Sequence, residues 1–103
     1  MLVFFVLCYD GQDAEAPARR LAVRQKHLER MVPAVTNGSI VSGGAILDEH
    51  GHMVGSAFMA KMNSREALDA WIREDPYTLG NVWQRFEICQ VRLVVDGGKV
   101  VAG

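Results

Sequence analysis

The chain has 103 residues, of which half are hydrophobic and 22% are charged. This length is typical of one domain, and the hydrophobic fraction is large enough for a buried core and argues against disorder. Eleven basic and twelve acidic residues leave a formal net charge of −1, which provides no basic surface for a nucleic-acid backbone. No apolar run approaches the roughly 20 residues that cross a bilayer. We therefore expect a cytoplasmic protein that binds neither nucleic acid nor membrane.

The first part of the chain predicts a buried strand followed by a long helix. Residues 2–9 form a continuous apolar run, which is typical of a central strand. Asp13 is placed to cap a helix over residues 16–36, and Gly38 is suited to end it. Pro33 lies inside that span and predicts a kink or an early stop. The apolar residues at helical spacing are Leu21, Leu28, Met31, Val32 and Val35.

The middle of the chain predicts a β-hairpin and the start of a second helix. Residues 39–47 and 53–62 are strand-like, and the polar residues 48–52 between them form a turn. Asn63, with Glu66 three residues later, matches a capping box.

The last part of the chain predicts the second helix and a final strand. The inner face of the helix is expected to carry Leu68, Trp71 and Ile72. Residues 84–95 alternate as a strand with a break of register near Gln90. Beyond it we expect a turn and either a short return strand or a frayed end, so that the domain covers residues 1–95 and residues 96–103 form a tail.

The resulting order, βαββαβ, predicts an α+β ferredoxin-like domain. Right-handed crossovers place both helices on one side of a four-stranded antiparallel sheet. The strands are apolar on both faces, as the neighbouring Phe4 and Phe5 illustrate. An exposed apolar sheet is unfavourable in water. We therefore predict a homodimer in which the helix-free sheet faces pack together.

His27 and Asp75, on different predicted helices, are the main candidates for chemistry. His27 borders the apolar stripe of the first helix, and histidine is the side chain that exchanges protons near neutral pH. Asp75 lies at the predicted C-terminal end of the second helix, where the dipole and burial both disfavour a carboxylate. A cationic partner is therefore expected. Because both helices lie on the same side of the sheet, we predict that His27, Arg24 and Asp75 meet.

Simpler interpretations of these residues stay open. His27 also fits an ordinary boundary histidine, and Asp75-Pro76 fits an ordinary turn. Residues 48–52 hold two histidines and two carboxylates, a composition that can indicate a metal site. A hairpin turn, however, projects alternate side chains to opposite faces. We therefore expect a solvated turn and no metal.

Two further sets of residues are predicted to have structural roles. Cys8 and Cys89 lie in apolar strands, so buried free thiols are expected, although the spacing leaves a disulfide open. The basic residues of the first helix are mixed with Glu15 and Glu29 and predict a solvated helix face. They are Arg19, Arg20, Arg24, Lys26 and Arg30.

Several short motifs occur together in one order. They are Tyr9-Asp10, Arg24-x-x-His27-Leu28, Gly38, Gly44, the hairpin "LDEHGHMVGS", Ser64 to Ala67, and Asp75-Pro76-Tyr77 with Gly80. In this order and spacing the chain resembles the YCII-related domain family from Leu2 to about Leu93. One departure is Ala45, where the family usually has proline, and this affects the expected shape of the pocket wall.

The resemblance implies a dimeric α+β barrel, similar to muconolactone-isomerase-like proteins and small haem-free monooxygenases. It also implies a cleft with a His–Asp pair, which motif position assigns to His27 and Asp75. No dinucleotide fingerprint or haem axial-ligand motif is visible, so we expect no cofactor. The residues expected to bind substrate are Arg24, Tyr9, Gly44, Pro76 and Tyr77.

Two hypotheses of function follow. The first is a cofactor-independent lyase or isomerase acting on a small cyclic or aromatic hydroxylated compound. In it His27 is the general base or acid, and Asp75 orients the imidazole and stabilises its charged form. The second is a non-catalytic small-molecule-binding or regulatory module that uses the same cleft. Both predict a small-molecule ligand and a homodimer, and both leave higher assembly open.

Overall fold

The computed structural model describes residues 1–101 and contains one four-stranded sheet with helices on one side. The sheet is antiparallel with the strand order β2-β3-β1-β4, and β5 and β6 form a separate hairpin. This is the predicted α+β ferredoxin-like fold. The elements are β1 (Leu2–Asp10), α1 (Ala16–Thr36), β2 (Ile40–Leu47), β3 (Met53–Met62), α2 (Arg65–Arg73), α3 (Pro76–Leu79), β4 (Trp83–Val91), β5 (Val95–Asp96) and β6 (Lys99–Val100).

The hydrophobic core lies between the sheet and the helices. Because side chains alternate along a strand, every second residue of β1 faces the helices, and Phe4, Val6 and Cys8 are each at most 3% exposed. Leu68 and Ile72 of α2 pack into the same cluster, as their spacing predicts. The helix-facing side of the central strands β1 and β3 is therefore covered within one chain.

The opposite sheet face has no helix over it. Val3, Phe5, Leu7 and Tyr9 alternate with the core residues of β1 and are only partly buried. Their cross-strand neighbours include Met59. This face is the one on which the sequence predicts contact with a second chain.

Helix α1 begins and ends at the predicted residues. It runs through Pro33 to Thr36, so of the two alternatives for Pro33 the early stop does not occur. Gly38 follows with a φ of +84°, a conformation that suits glycine. Asp13 does not cap the helix: Glu15 holds the N-cap position without a side-chain hydrogen bond. Asp13 instead accepts from the backbone N–H of Glu15 in the preceding turn.

The buried face of α1 differs from its apolar stripe. The residues that α1 buries are Ala16, Arg20 and Ala34, whereas Leu21 is 75% exposed and Val32 is 67% exposed. The prediction that all the basic residues of this helix form a solvated face is therefore wrong for Arg20.

Helix α2 is capped one residue later than predicted. Ser64, not Asn63, holds the N-cap position, and its hydroxyl accepts from the N–H of Ala67 at 3.1 Å. The extended backbone of Ser64 suits this role. Glu66 lies in the first turn, where a carboxylate is favourable against the helix dipole.

Two features beyond α2 depart from the predictions. The residues after Asp75 form the short helix α3 instead of a loop. The last sheet strand ends at Val91, short of the predicted residue 95. Gln90 pairs regularly with Phe4, and the irregularity lies at the other end of the strand, between Tyr9 and Asp10 of β1. The predicted break of register at Gln90 is therefore wrong.

The predicted turn near the C-terminus is present. Gly97 and Gly98 both have positive φ, as a two-residue hairpin turn requires, and β6 is the predicted short return strand. The last two residues of the predicted tail lie outside the described residues. Within residues 1–101, no helix combines the length and the apolar character needed to span a membrane.

Both cysteines are free, and they differ in exposure. Cys8 is buried, and burial raises the pKa of its thiol far above the usual range, so it stays protonated. Cys89 is exposed, contrary to the prediction. The register pairs Cys8 with Phe86 and Cys89 with Phe5, so the two thiols are not opposite one another.

Candidate functional site

Asp75 lies at the junction of α2 and α3 and is completely buried. Its backbone is extended, with φ −68° and ψ 139°, and it is the N-cap of α3. Its Oδ1 accepts a hydrogen bond from the N–H of Tyr77 at 2.9 Å, and Pro76 fills the first helical position, where its missing N–H costs nothing. The carboxylate thus faces the positive end of α3, which stabilises it.

His27 of α1 contacts this carboxylate directly. Its Nδ1 lies 2.8 Å from Oδ1 of Asp75. An ionised carboxylate only accepts hydrogen bonds, so Nδ1 carries the hydrogen. In the neutral ring this leaves Nε2 as the acceptor. The side chain of His27 is 13% exposed, so the ring is held in place and still reaches the surface.

Arg30, one turn beyond His27 on α1, holds the other side of the carboxylate. Its Nη1 donates to Oδ2 of Asp75 at 3.0 Å, and its Nη2 donates to the carbonyl of Trp71 at 2.7 Å. The guanidinium also lies over the Trp71 ring, 4.2 Å from its centroid. Asp75 is therefore matched by a permanent cation whatever the charge of His27.

The ring of His27 is packed between aromatic side chains. It stacks on Tyr77 with the centroids 4.1 Å apart and the planes 21° from parallel. Trp83 meets it edge-on at 5.6 Å. Both geometries are favourable for aromatic pairs. Together with the bond to Asp75 they fix the orientation of the imidazole.

A cavity of about 340 Å³ opens beside His27. Helix α1 contributes Arg24, His27 and Met31 to its lining, β2 contributes residues 42–45, and β3 contributes Phe58 among others. Small-molecule sites measure about 300–1,000 Å³, so this cavity suits a compound of about one ring.

A second buried ion pair borders the cavity through Arg20, which belongs to its lining. Nη1 of Arg20 donates to both oxygens of Asp10 at 2.9 and 3.0 Å, and Nη2 donates to Oγ of Ser56 at 3.1 Å. Burial raises the pKa of Asp10, and the Arg20 guanidinium opposes that shift. Arg20 also lies over the ring of Tyr77, 4.6 Å from its centroid. Arg20 therefore holds the Tyr77 ring, on which His27 stacks, in place from α1.

Tyr77 links the two buried pairs, because its ring contacts both His27 and Arg20. Burial raises the pKa of the Tyr77 phenol, while the positive charges of Arg20 and Arg24 act in the opposite direction. The phenol is therefore protonated at neutral pH and can donate a hydrogen bond.

The structure brings most of the predicted site residues to one place. Gly44 and Tyr77 line the cavity together with Arg24 and His27. Arg24 does not contact Asp75. Arg30 forms the ion pair with Asp75 that was predicted for Arg24. Pro76 shapes the backbone next to Asp75 but is not part of the cavity lining.

Tyr9 is not part of this site. It lies on the helix-free sheet face, where Arg85 sits 4.0 Å over its ring, and it lines a separate cavity of about 690 Å³. The alternation of side chains explains this, because Cys8 faces the helices and its neighbour must face away.

Two site residues were missed by the sequence reasoning. Arg30 lies three positions after His27, a spacing that puts both side chains on one helix face. Arg20 lies seven positions before His27, again on that face. The helical spacing therefore indicated that Arg20 and Arg30 share a helix face with His27. It did not indicate that these side chains contact buried carboxylates.

Residues 2–92 match the family model of the YCII-related domain. The chain belongs to that family. It is 28% identical over 86 residues to Protein YciI of Escherichia coli, a match that covers 78% of this chain and 88% of the relative. The family resemblance seen in the sequence is thereby confirmed.

Two solved structures share the fold. One is the 5-chloro-2-hydroxyhydroquinone dehydrochlorinase TftG from Burkholderia phenoliruptrix AC1100, in complex with 2,5-dihydroxybenzoquinone. Its TM-score is 0.75 at 18% identity, covering 87% of this chain and 93% of that one. The other is a dimeric ferredoxin-like protein of unknown function from Jannaschia sp. CCS1. Its TM-score is 0.52 at 8% identity, covering 90% of this chain and 100% of that one.

Proposed function

We propose that this chain is a cofactor-independent lyase or isomerase that acts on a small hydroxylated ring compound. The observation that carries the proposal is the 2.8 Å contact between Nδ1 of His27 and the buried Asp75, beside a cavity of about 340 Å³. A carboxylate that fixes one imidazole nitrogen and leaves the other free is the arrangement used in other histidine-centred sites.

In this proposal Nε2 of His27 takes a proton from a ring hydroxyl or from a carbon activated by a carbonyl group. Asp75 stabilises the imidazolium that forms, and Arg30 pairs with the other oxygen of Asp75 throughout. In an isomerisation the proton returns at another position of the ring. In an elimination the leaving group departs with the electron pair of its bond. General acid–base help of this kind contributes about 10²–10⁴ to the rate.

The ring substrate is suggested by the neighbour TftG, which is named for the dehydrochlorination of a chlorinated hydroxyhydroquinone. Loss of HCl from such a compound is redox-neutral overall. The proton goes to the base, chloride leaves, and the ring becomes a hydroxyquinone without an external oxidant. The YCII-related domain family supports this comparison.

The test is release of chloride from 5-chloro-2-hydroxyhydroquinone, measured under argon. We expect turnover by the wild type and a loss of about 10²–10⁴-fold in His27→Ala, because the general base is removed. Lys26→Ala is the matched control, since Lys26 is the exposed neighbour of His27 on α1. Wild-type turnover in His27→Ala would contradict the proposed role of this residue.

The same assay separates catalysis from a binding module. If the wild type binds 5-chloro-2-hydroxyhydroquinone in calorimetry but releases no chloride, the cleft acts as a non-catalytic binding site for this compound. Binding without turnover would therefore contradict the enzyme proposal.

We also propose that the chain is a homodimer joined through the helix-free sheet faces, which would close an α+β barrel. The partly buried apolar residues Phe5 and Leu7 on that face support it, as does the dimeric neighbour. Leu7→Arg should give a monomer in light scattering, because a buried unpaired charge is costly. Gln25→Arg, on the exposed side of α1, should leave the mass unchanged. A dimeric Leu7→Arg variant would contradict this interface.

A further inference from the structure

The cavity beside His27 is lined by cations and neutral groups. Arg20, Arg24 and His27 stand on its helix side, and no Asp or Glu of residues 1–101 belongs to its lining. Apolar side chains such as Met31 and Phe58 make up much of the remaining wall. Such walls lower the local dielectric constant, so a charge in the cavity feels these cations more strongly than it would in water.

The buried carboxylates near the cavity are already neutralised. Asp75 is matched by Arg30 at 3.0 Å, and Asp10 is matched by Arg20 at 2.9 Å. Each of these pairs has a net charge of zero. The charge that remains at the cavity is that of Arg24, to which a protonated His27 would add.

Arg24 has no carboxylate partner in the part of the chain that the structure describes. The helix positions that neighbour it, three and four residues away, are Arg20, Leu21, His27 and Leu28. None of them is acidic. Its positive charge nevertheless acts on the Tyr77 phenol inside the site.

We infer that the cavity selects an anionic ring compound, with an ionised phenol, enol or carboxylate oxygen neutralised by Arg24. This inference rests on the proposed function and specifies which form of the ring the cavity stabilises: the anion that is present once His27 has taken the proton of a ring hydroxyl. Removing an anion from water is costly unless a cation meets it, and the cavity supplies that cation. A neutral ligand gains none of this attraction and leaves Arg24 unpaired.

Titration calorimetry at pH 7 tests this inference. The anionic probe is 2,5-dihydroxybenzoquinone, whose acidic hydroxyls are ionised at that pH. The neutral probe is hydroxyhydroquinone, which is similar in size and is kept under argon. We expect the wild type to bind the anionic probe about tenfold more tightly, equivalent to about 1.4 kcal/mol. Added salt should weaken only the anionic complex, because ions screen the attraction.

The variants assign the preference to Arg24. Arg24→Gln should remove most of the difference between the probes, and Arg24→Lys should keep part of it. Lys26→Gln makes the same change of charge outside the cavity and should leave it intact. Equal affinity of the wild type for the two probes, or an Arg24→Gln variant that still prefers the anion, would overturn the inference.

Failure of this inference is distinguishable from failure of the proposed function. Charge preference is measured as binding, whereas the proposed function is measured as chloride release. His27→Ala should lose turnover and still prefer the anionic probe. A wild type that turns over 5-chloro-2-hydroxyhydroquinone without preferring the anion would overturn only the charge selection.

Discussion

Helix α1 lies against two buried carboxylates, Asp10 and Asp75, and satisfies them in different ways. Arg20 holds Asp10 through two hydrogen bonds from one nitrogen. Asp75 is shared between Arg30, His27 and the N–H of Tyr77. The side chain of Asp10 is 5% exposed and that of Asp75 is fully buried, so both charges depend on their partners.

The difference lies in which partner can change its charge. Arginine stays protonated at all relevant pH values, so the Asp10–Arg20 pair is a fixed structural link. Asp75, by contrast, is shared with a histidine, a type of side chain that can take up or release a proton, and Arg30 compensates the carboxylate in either case. In the proposed function, the first pair therefore serves stability and the second serves proton transfer.

Asp75→Asn should have the largest effect on catalysis. The amide keeps the N-cap of α3 but no longer stabilises a positive imidazole, so chloride release from 5-chloro-2-hydroxyhydroquinone should fall by about 10²–10⁴-fold. The cost in stability should be smaller than for Asp10, because Arg30 is 22% exposed and lies 4.0 Å from Glu74. Nitrogen-15 NMR of the imidazole should also show a loss of the Nδ1–H tautomer. Full activity with an unchanged tautomer would remove the distinction between the two carboxylates.

Asp10→Asn should mainly affect folding. Removing one partner of a buried ion pair leaves the other charge uncompensated, which costs about 3–5 kcal/mol of unfolding free energy. Urea unfolding measures this cost. The double variant Asp10→Asn with Arg20→Met should recover part of it, because no unpaired charge remains. If the double variant is no more stable than the single one, the pair is not the fixed link described above.

Asp13, in the turn before α1, is a third carboxylate that pairs with an arginine of this helix, and it is exposed, so its replacement should have the smallest effect. Its hydrogen bonds to Arg19 lower the pKa of the Asp13 carboxyl to about 2. The folded state thus binds this proton less tightly than the unfolded state, whose value is about 3.9. The resulting stabilisation is present above pH 4 and lost as pH falls towards 2.

Asp13→Asn should therefore differ from the wild type at pH 7 and converge with it at low pH. Urea unfolding at a series of pH values measures this difference. The effect should be small, because solvent screens the attraction between exposed charges. A difference that stays constant from pH 7 to pH 2 would contradict the assignment.

The sequence was sufficient to place His27 and Asp75 together, because each lies on the inner side of its element and the crossover rule puts both helices on one side of the sheet. It did not identify α3, since four residues beginning with Pro76 are equally typical of a turn. The position of Asp75 was therefore explained by only one of its two helix ends. The structure places it directly after the C-terminal end of α2, as predicted, and also at the favourable N-terminus of α3.

The orientation of α1 was the main property that the sequence did not reveal. Leu21 and Val32 suggest an inward apolar face, yet they are exposed, while Arg20 is buried. A pattern of hydrophobicity cannot anticipate that buried carboxylates on other elements will compensate an arginine. The predicted contact of Tyr9 with substrate is a different case. The alternation of side chains along β1 was enough to place Tyr9 on the helix-free sheet face, away from the cavity beside His27.

The spacing of the cationic contacts on α1 has a mechanical consequence. Arg20 and Arg30 are ten residues apart, about 15 Å along the axis, and each is fastened to a separate part of the chain. A helix held at two points can neither shift along its axis nor rotate about it. Because one residue of slippage would turn the helix by about 100°, both anchors would have to release at once. His27 lies between them, so its ring keeps one position and one orientation relative to Asp75 and the cavity.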